Sequence, residues 1–251
     1  LHVLNLGLSS FADSITRAGG SVLQIEWAPP AQGQQEVGRA LARLVNLLSV
    51  ETANQTAFDA YQSAQPVLKG VGTAGQVLPN ITERMILHSG PPIAWKEMCG
   101  PMKGAIVGAI LYEGWAENLA RAEAMASSGD ITFEPCHHHN AVGPMAGIIS
   151  PSMPVWMVTN TTNGHQAFCN FNEGLGKALR FGANGPDVIT RLKWMGQVLA
   201  PALRASIELL GGIDLKPIMA QALHMGDEVH NRNAAASSLF LKRLISALLK
   251  T

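Results

Sequence analysis

The sequence predicts a mixed α+β fold, in which an N-terminal Rossmann-like βαβ unit precedes an α+β body and a helical C-terminal part. Three observations lead to this fold class. A strand–helix–strand pattern opens the chain, short apolar stretches broken by proline and glycine fill its middle, and capped amphipathic segments follow Pro186. We therefore expect three regions, at residues 1–50, 51–185 and 186–251.

The first region is predicted from apolar runs and glycine breaks. Residues 3–8 and 21–27 have the composition of strands, and residues 10–18 that of a helix closed by Gly19-Gly20. The loop NLGLSS lacks the G-x-G-x-x-G spacing of a dinucleotide site, so we expect packing there rather than nucleotide binding. The pattern over residues 34–64 is helical. Its apolar stripe should pack into the core at Val37, Leu41, Leu44, Val45 and Leu48.

The middle region should combine loops, strands and one long helix. Prolines and glycines interrupt residues 65–99, which we expect to form loops and short elements. A helix is predicted over residues 104–125, and strands over residues 131–136 and 154–159. A short helix or turn is predicted over residues 141–149, and a helix over residues 172–181.

Residues that start, cap or end helices define the predicted C-terminal helices. Pro186-Asp187 starts one helix, Pro201 kinks or restarts it, and Gly211-Gly212 ends it. Asp214 caps the next helix, and Asp227 can cap the last one. Apolar pairs recur every four residues in that last helix and require a partner surface: Phe240/Leu241, Leu244/Ile245 and Leu248/Leu249. Because the sequence stops directly after this helix, we expect a truncated C-terminus.

Composition narrows the partners and the location. Hydrophobic residues make up 47% of the 251 residues and charged residues 14%, a balance that favours a homo-oligomer or a hetero-complex. Lysine plus arginine equals aspartate plus glutamate at 18 each, so neither nucleic acid nor a membrane is an expected partner. The apolar runs are shorter than the ~20 residues of a membrane-spanning helix. Three cysteines, without a C-x-x-C pair, favour the cytoplasm.

The most concentrated polar cluster is Cys136-His137-His138-His139-Asn140. If this segment is extended, His137 and His139 face one way and His138 the other, so one metal ion cannot easily bind all three. The sequence has no H-E-x-x-H motif to accompany them. Three interpretations stay open: a substrate-facing hydrogen-bonding role, a metal site completed by distant residues, and exposed or structurally bonded histidines.

A second cluster, FNEGLGKALRFG, contains Asn172, Glu173, Lys177 and Arg180. The first glycine and the Ser/Thr of a Walker phosphate loop are both replaced. Asn172 could instead cap a helix whose first-turn amides bind an anion, with Lys177 and Arg180 on one face to neutralise it. The alternative is a capped amphipathic helix with a solvated basic face.

The third cluster is MGDEVHNRN. A helix that begins near Asp227 would bring Asp227, His230 and Asn231 onto one face, and would pair Glu228 with Arg232. An acid–histidine pair at this spacing can tune a general base, although capping alone also explains an aspartate here. Two glycine-proline turns, HSGPPIAW and NAVGPMAG, could shape a pocket.

Four long segments resemble the YlbE-like (YahG/YlbE) family, formerly a domain of unknown function: HSGPPIAWKEMCGPMKGA, PCHHHNAVGPMAGIISPSMPV, NFNEGLGKALRFGA and GGIDLKPIMAQALHMGDEVHNRN. The agreement covers nearly the whole chain from NLGLSSF onward, and family members continue well past this C-terminus. The resemblance implies a mixed fold with a Rossmann-like N-terminal unit. It also links the chain, with an FdrA-like protein and a third subunit, to oxamate carbamoyltransferase activity in allantoin degradation, a branch of purine catabolism.

That activity exchanges a carbamoyl group between oxalurate and phosphate, and gives oxamate and carbamoyl phosphate. The chemistry needs donors that polarise a carbonyl and cations that hold small anions, so we expect no metal and no cofactor. The expected catalytic residues are His137, His139, Asn140, Asp227 and His230. The expected substrate-binding residues are Asn172, Glu173, Lys177, Arg180, Asn231 and Arg232. From the resemblance we would expect Asp more often than Asn at position 140, so an acidic metal ligand is less available here.

Two other functions stay open. The chain could be a non-catalytic structural or regulatory subunit of an FdrA-containing complex, with the chemistry on the FdrA-like protein. It could also be a metal-dependent amidohydrolase that uses the histidine loop.

Overall fold

The computed structural model describes residues 2–28, 30–171, 173–174, 176–230 and 232–250. Its contacts divide the chain into two units, Leu1–Ser63 and Ala64–Thr251. The three regions expected from the sequence stay a prediction, and their junction at residue 50 falls inside a helix of the first unit.

The first unit begins with the predicted βαβ pattern. Strand β1 (His2–Leu6), helix α1 (Ser9–Arg17) and strand β2 (Ser21–Ile25) follow in order. The two strands pair in parallel, with His2 opposite Ser21. They make up the whole sheet within the described residues of this unit. Rossmann-like character beyond the βαβ unit therefore stays a prediction.

The helical pattern expected over residues 34–64 is confirmed, and it forms two helices. Helix α2 (Gln35–Val45) ends at Asn46, whose amide side chain donates to the carbonyl of Ala42, and helix α3 (Leu48–Ser63) starts anew. The expected core stripe is wrong, because each of its five side chains is at least 40% exposed. No described residue of this unit is buried, so the unit offers the stripe no core to enter.

The second unit contains two sheets among the described residues. A five-stranded sheet has the order β10-β3-β8-β9-β6, and a three-stranded sheet the order β5-β4-β7. The strands are β3 (Pro66–Thr73), β4 (Met85–His88), β5 (Thr132–Pro135), β6 (Ala141–Val142), β7 (Ile148–Ile149), β8 (Pro154–Asn160), β9 (Gln166–Asn170) and β10 (Ile213–Asp214). The helices are α4 (Ala74–Val77), α5 (Gly100–Tyr112), α6 (Leu119–Ser128), α7 (Pro186–Trp194), α8 (Ala200–Leu210), α9 (Leu215–His224) and α10 (Ala234–Leu248).

These elements form four layers, because each sheet buries both faces. One face of the five-stranded sheet packs on α8, α9 and α10, and one face of the three-stranded sheet packs on α5, α6 and α7. The other two faces pack on each other, with Leu87 and Ile149 against Val155 and Phe168. Side chains alternate along a strand. On β4, Ile86 therefore packs with α5 while Leu87 faces the second sheet.

The middle of the chain both confirms and corrects the sequence predictions. The strands expected near residues 131–136 and 154–159 are present as β5 and β8. The short helix or turn expected over residues 141–149 is present as a tight turn, which the two-residue strands β6 and β7 flank. The long helix expected over residues 104–125 is broken into α5 and α6, with Gly114 at a left-handed φ of 72° between them.

The ends of the C-terminal helices agree closely with the prolines, glycines and aspartate that predicted them. Pro186 starts α7, a π-helical turn (Met195–Leu199) leads into α8 just before Pro201, and Gly211 ends α8 in the left-handed region. The Asp214 carboxylate accepts a hydrogen bond of 3.1 Å from the Lys216 amide at the start of α9. These expectations are confirmed because proline and glycine restrict the backbone locally.

Helix α10 packs one residue of each apolar pair inward and exposes the other. Phe240, Leu244 and Leu248 pack against α8 and the five-stranded sheet, whereas Leu241, Ile245 and Leu249 are exposed. The expected partner surface is thus present for one face only. None of the described helices is both long and apolar enough to cross a bilayer.

Candidate functional site at the strand ends

The histidine run is a turn and not an extended loop. Strand β5 ends at Pro135, and Cys136–His139 forms a single 3₁₀ turn. Asn140 closes it at a left-handed φ of 54°, which asparagine tolerates better than most residues. The alternation expected for His137, His138 and His139 is therefore wrong, because a turn with three residues per repeat replaces the strand.

Each histidine of this turn has a different environment. The rings of His137 and His138 meet edge to face at 4.7 Å, and both are exposed. His138 Nδ1 lies 3.0 Å from the Glu134 carboxylate. His139 is buried, and its Nδ1 donates to the Pro79 carbonyl at 2.7 Å. His139 thus anchors the turn, while His137 projects from it.

The helix expected over residues 172–181 is also wrong. Gly174 and Gly176 have left-handed φ values of 87° and 89°, and only a 3₁₀ turn, Leu179–Phe181, follows. The Glu173 carboxylate accepts a 2.7 Å hydrogen bond from the Leu179 amide and closes the loop on itself. Asn172, the expected helix cap, lies outside the described residues. The anion site expected at a helix N-terminus is therefore not formed in this way.

Two arginines stabilise this glycine loop by donating hydrogen bonds to its backbone carbonyls. Arg191 of α7 donates to the Lys177 carbonyl, and Arg180 donates to the Gly174 carbonyl at 3.4 Å. The Arg180 guanidinium also lies 4.3 Å from the Phe181 ring. The expected pairing of Lys177 with Arg180 on one helix face is wrong, and the exposed Lys177 ammonium remains the cation of the loop that faces solvent.

The chain after the loop packs directly on α5. The Gly182 backbone lies against Gly104 so closely that a β-carbon at Gly104 would be 2.3 Å from the Gly182 oxygen. The Asn184 side chain donates to the Gly104 carbonyl at 3.1 Å. Small residues in α5 therefore position the glycine loop.

The third cluster does not form the expected helical face. Residues 227–230 and 232–233 are irregular, Val229 has a φ of 57°, and α10 begins only at Ala234. The Asp227 carboxylate is buried and accepts a 2.8 Å hydrogen bond from the Ala236 amide. Asp227 thus binds an amide in the first turn of the last helix, but the helix does not begin near Asp227, and the expected helical alignment of Asp227 with His230 is wrong.

The rest of that segment is held by local contacts. The expected side-chain pairing of Glu228 with Arg232 required a helix, and the Glu228 carboxylate instead accepts from the Arg232 backbone amide at 2.9 Å. His230 is exposed, and Asn231 lies outside the described residues. The segment leads into α10, in the helical layer behind the five-stranded sheet.

The first two clusters border one turn that follows β4. His88 is opposite Pro135, where the histidine turn begins. The next residue, Ser89, donates its hydroxyl to the Pro144 carbonyl at 2.6 Å. A β-carbon placed on Gly143 would lie 3.2 Å from Ser89 Oγ and 3.3 Å from Asn170 Oδ1, at the start of the glycine loop. The carboxyl ends of β4, β5, β6 and β9 therefore lie close together here. Ligand sites of α/β sheets commonly lie at the carboxyl ends of strands.

His88 is the residue of this edge that the sequence predictions missed. It is completely buried, and its Nδ1 lies 3.1 Å from the Ser89 carbonyl. Among the described side chains, four nitrogens are buried without a hydrogen-bond partner: His88 Nε2, His139 Nε2, Arg180 Nε and Arg191 Nε. A signal was present in the sequence, since the apolar strand MILH ends in a histidine and runs into the Ser-Gly-Pro-Pro turn.

The chemistry of the cysteines at this edge is limited by burial. Burial, with a smaller contribution from Cys169, raises the pKa of the Cys136 thiol to about 12. Burial also raises the pKa of Cys169. Neither is a thiolate nucleophile at neutral pH. In the described part of the chain, no group of three or more His, Cys, Asp or Glu side chains is arranged to hold a metal ion.

Comparison with known proteins identifies relatives of this chain. A family model described as oxamate carbamoyltransferase subunit AllG matches residues 131–251, which include all three polar clusters. The chain is 50% identical over 198 residues to oxamate carbamoyltransferase subunit AllG of Escherichia coli (strain K12), covering 78% of this chain and 47% of that protein. It is 44% identical over 253 residues to uncharacterized protein YahG of the same organism, covering 100% of this chain and 54% of that protein.

A solved structure shares the fold. The crystal structure of a conserved protein of unknown function from Enterococcus faecalis V583 has a TM-score of 0.79 and 48% sequence identity, over 81% of this chain and 49% of that one. The chain thus spans about half the length of the curated relatives it matches. The resemblance read from the sequence motifs is confirmed. The chain belongs to the YahG/AllG-like family.

Proposed function

We propose that this chain is part of a carbamoyltransferase subunit that acts on oxalurate, oxamate and phosphate in allantoin degradation. The observation that carries this proposal is the 50% identity to oxamate carbamoyltransferase subunit AllG. All three polar clusters fall inside the residues matched by the family model. The same relationship favours a hetero-complex over an isolated enzyme.

The proposed reaction transfers a carbamoyl group without a covalent enzyme intermediate. A phosphate oxygen forms a bond to the carbamoyl carbon, the bond from that carbon to the oxamate nitrogen breaks, and the nitrogen takes up a proton. Negative charge develops on the carbamoyl oxygen as the carbon is attacked, so fixed hydrogen-bond donors lower the barrier. Cations hold the phosphate and the carboxylate.

The strand edge supplies groups of both kinds. His137 is exposed on the turn that borders His88, and Asn140 ends that turn. In this proposal they donate to the carbamoyl oxygen. Lys177 presents its ammonium at the exposed glycine loop and holds the phosphate. His139 and Arg180 position these segments through their backbone contacts.

The polar cluster before α10 has a different proposed role from the strand edge. Asp227 is occupied by the cap on α10, so it does not orient His230 through a shared helix. His230 and Arg232 are exposed, and their proposed role is to meet substrate or partner chain at the outer helical layer.

The partners in this proposal are an FdrA-like protein and a third subunit, in the cytoplasm. Exposed apolar surface on α10 supports assembly: Leu241 and Ile245 are 56% and 58% exposed, and Leu249 is 84% exposed. Burial of such side chains contributes roughly 1.5–3 kcal/mol each. A stable partner would therefore gain from covering this face.

The test is reconstitution with the FdrA-like protein and the third subunit. Carbamoyl phosphate formation from oxalurate and phosphate is measured for the wild type and for His137→Ala and Lys177→Ala. Loss of a donor at the carbamoyl oxygen should lower kcat by roughly 10²–10³-fold. Loss of Lys177 should act mainly on the KM for phosphate, since it removes a binding cation.

Matched controls come from exposed residues away from the edge. His165, in the turn between β8 and β9, and Lys193, on α7, are exposed, and their alanine variants should keep wild-type turnover. Near-normal turnover of His137→Ala and Lys177→Ala in an intact complex would count against catalysis on this chain. It would favour the non-catalytic structural subunit instead.

A further inference from the structure

The β1–β2 sheet of the first unit is covered on one face only. Helix α1 packs on both strands, and the side chains of Val3 and Val22 are partly buried. Side chains alternate between the two faces of a sheet. The other face therefore carries four leucine and isoleucine side chains, which are 37–64% exposed and are called here the open sheet face: Leu4, Leu6, Leu23 and Ile25. Parallel sheets occur almost only with both faces covered, so this face requires a second covering layer.

Helix α2 has an apolar side that is equally uncovered. Four of its apolar residues, called here the α2 stripe, recur at helical spacing and are 40–59% exposed: Val37, Leu41, Leu44 and Val45. The charged residues of α2 lie on the opposite side of the helix. Because the stripe and the open sheet face are both exposed, α2 does not cover the sheet of its own copy.

The two surfaces match in size. Helix α2 has 11 residues and is about 16 Å long. Each strand has five residues and is also about 16 Å long. A helix is about 10 Å wide, and two strands about 4.8 Å apart form a ribbon of about the same width. One α2 stripe is therefore large enough to cover one open sheet face.

The connection between β2 and α2 is strained. The turn Pro30–Gly33 places Ala31 and Gln32 at left-handed φ values of 71° and 51°. A β-carbon makes this region unfavourable, so two successive residues of this kind are unusual. Strained connections favour the exchange of an element between two copies of a chain, because the strain is released when the connection extends.

Two reciprocal contacts between copies would bury enough surface for a stable dimer. A twofold axis brings the stripe of each copy to the open sheet face of the other, so each contact covers eight side chains. At roughly 70–100 Å² for each of these half-exposed side chains, the total is roughly 1,100–1,600 Å². A stable protein interface requires about 1,000 Å² or more. The area therefore fits a second copy of this chain.

We propose that two copies of this chain form a twofold-symmetric dimer by exchange of α2. The α2 stripe of each copy packs on the open sheet face of the other copy, and the turn Pro30–Gly33 acts as the hinge. The dimer is independent of the proposed carbamoyl transfer, because every contact that forms it lies within the first unit.

The first test combines oligomeric state with cross-linking. Light scattering of the purified protein should give twice the chain mass of 26.6 kDa. Leu23 and Leu41 lie near the middle of β2 and α2, so cysteines there should come close whichever way the helix points. The variant Leu23→Cys/Leu41→Cys, with the exposed Cys99 changed to serine, should be joined by a short bis-maleimide linker into a covalent dimer. Each single variant lacks the second thiol and should stay unlinked.

The second test places a charge in the α2 stripe. The dimer would contain Leu44→Asp twice, so its Kd should rise at least about 100-fold, which corresponds to about 2.8 kcal/mol. Leu44 is 54% exposed in its own copy, so the variant should keep its circular dichroism spectrum. Leu223→Asp on α9 is the matched control, because Leu223 is 56% exposed, and it should dimerise like the wild type.

Several results would overturn the exchange. The wild type could be monomeric at every concentration. The double-cysteine variant could give a linked monomer, which would show that α2 covers its own sheet, or it could fail to link. A dimer with an unchanged Kd in Leu44→Asp would show that the copies meet elsewhere. If Leu44→Asp does not fold, the cross-linking of the double-cysteine variant decides the question.

Discussion

Replacement of Gly104 by alanine should destabilise the second unit although it improves the helix. Alanine is favoured over glycine inside a helix by about 1 kcal/mol. The new β-carbon, however, would lie 2.3 Å from the Gly182 oxygen and 2.9 Å from the Gly182 α-carbon. Ordinary contact starts at 3.4 Å, so the Gly182 backbone must move by about 1 Å.

That backbone cannot retreat freely. Gly182 has a left-handed φ of 86°, its amide donates to the Leu179 carbonyl at 2.8 Å, and Pro101 lies against its other side. Overpacking of this kind costs about 1–3 kcal/mol. With the upper value and the helix gain of about 1 kcal/mol, the net loss is about 2 kcal/mol. For a chain of this size the Tm should fall by roughly 4–8 °C.

The assay is thermal unfolding of the variant beside Gly100→Ala in the same helix. A β-carbon on Gly100 has no atom within 4 Å, so this control should keep the wild-type Tm or raise it slightly. A Gly104→Ala protein with a Tm equal to or above that of the control would refute the close approach of α5 and the 179–184 segment.

Three further predictions follow from buried polar groups. Asp227→Ala removes the acceptor for the Ala236 amide and should cost about 0.5–2 kcal/mol in urea unfolding; an unchanged midpoint would contradict the cap. Alkylation at pH 8 should modify the exposed Cys99 before Cys136, whose pKa is raised to about 12 by burial; mass spectrometry of the labelled peptides reports the order, and equal rates would disprove the burial. Burial, with Glu113 beside it, raises the pKa of Tyr112 from 10.0 to about 12. Its neutral form therefore stabilises the fold below pH 10, and this contribution is lost as the pH rises from 10 to 12. Wild-type unfolding free energy should fall more steeply over that range than that of Tyr112→Phe, and parallel curves would be the contrary result.

The C-terminal helices were predicted well because residues at their ends act through local backbone restrictions. Pro186, Gly211 and Asp214 act through restricted dihedral angles and a two-residue hydrogen bond, which depend little on distant contacts. The same logic predicted that Asp227 caps the last helix. It failed on the start of that helix, because α10 begins only at Ala234 and residues 227–230 and 232–233 are irregular.

The sequence identified the residues of the polar clusters, but it did not predict their backbone conformation. Periodicity suggested a helix over residues 172–181, yet left-handed Gly174 and Gly176 and the contacts of Arg180 and Arg191 favour a loop. The side chains of the histidine run were expected to alternate only if its backbone was extended. The run forms a turn because Asn140 adopts a left-handed conformation and His139 is bound to the distant Pro79 carbonyl.

The amino-acid sequence alone was enough to predict the α+β class and the family, and it singled out three polar clusters that lie within residues 131–251, the part matched by the family model. These follow from residue identity and short-range pattern, which are written along the chain. It takes the tertiary structure to bring the ends of β4, β5, β6 and β9 to one edge and to bury His88 there. Strand pairing and burial join residues that are far apart in sequence, so no local pattern specifies them.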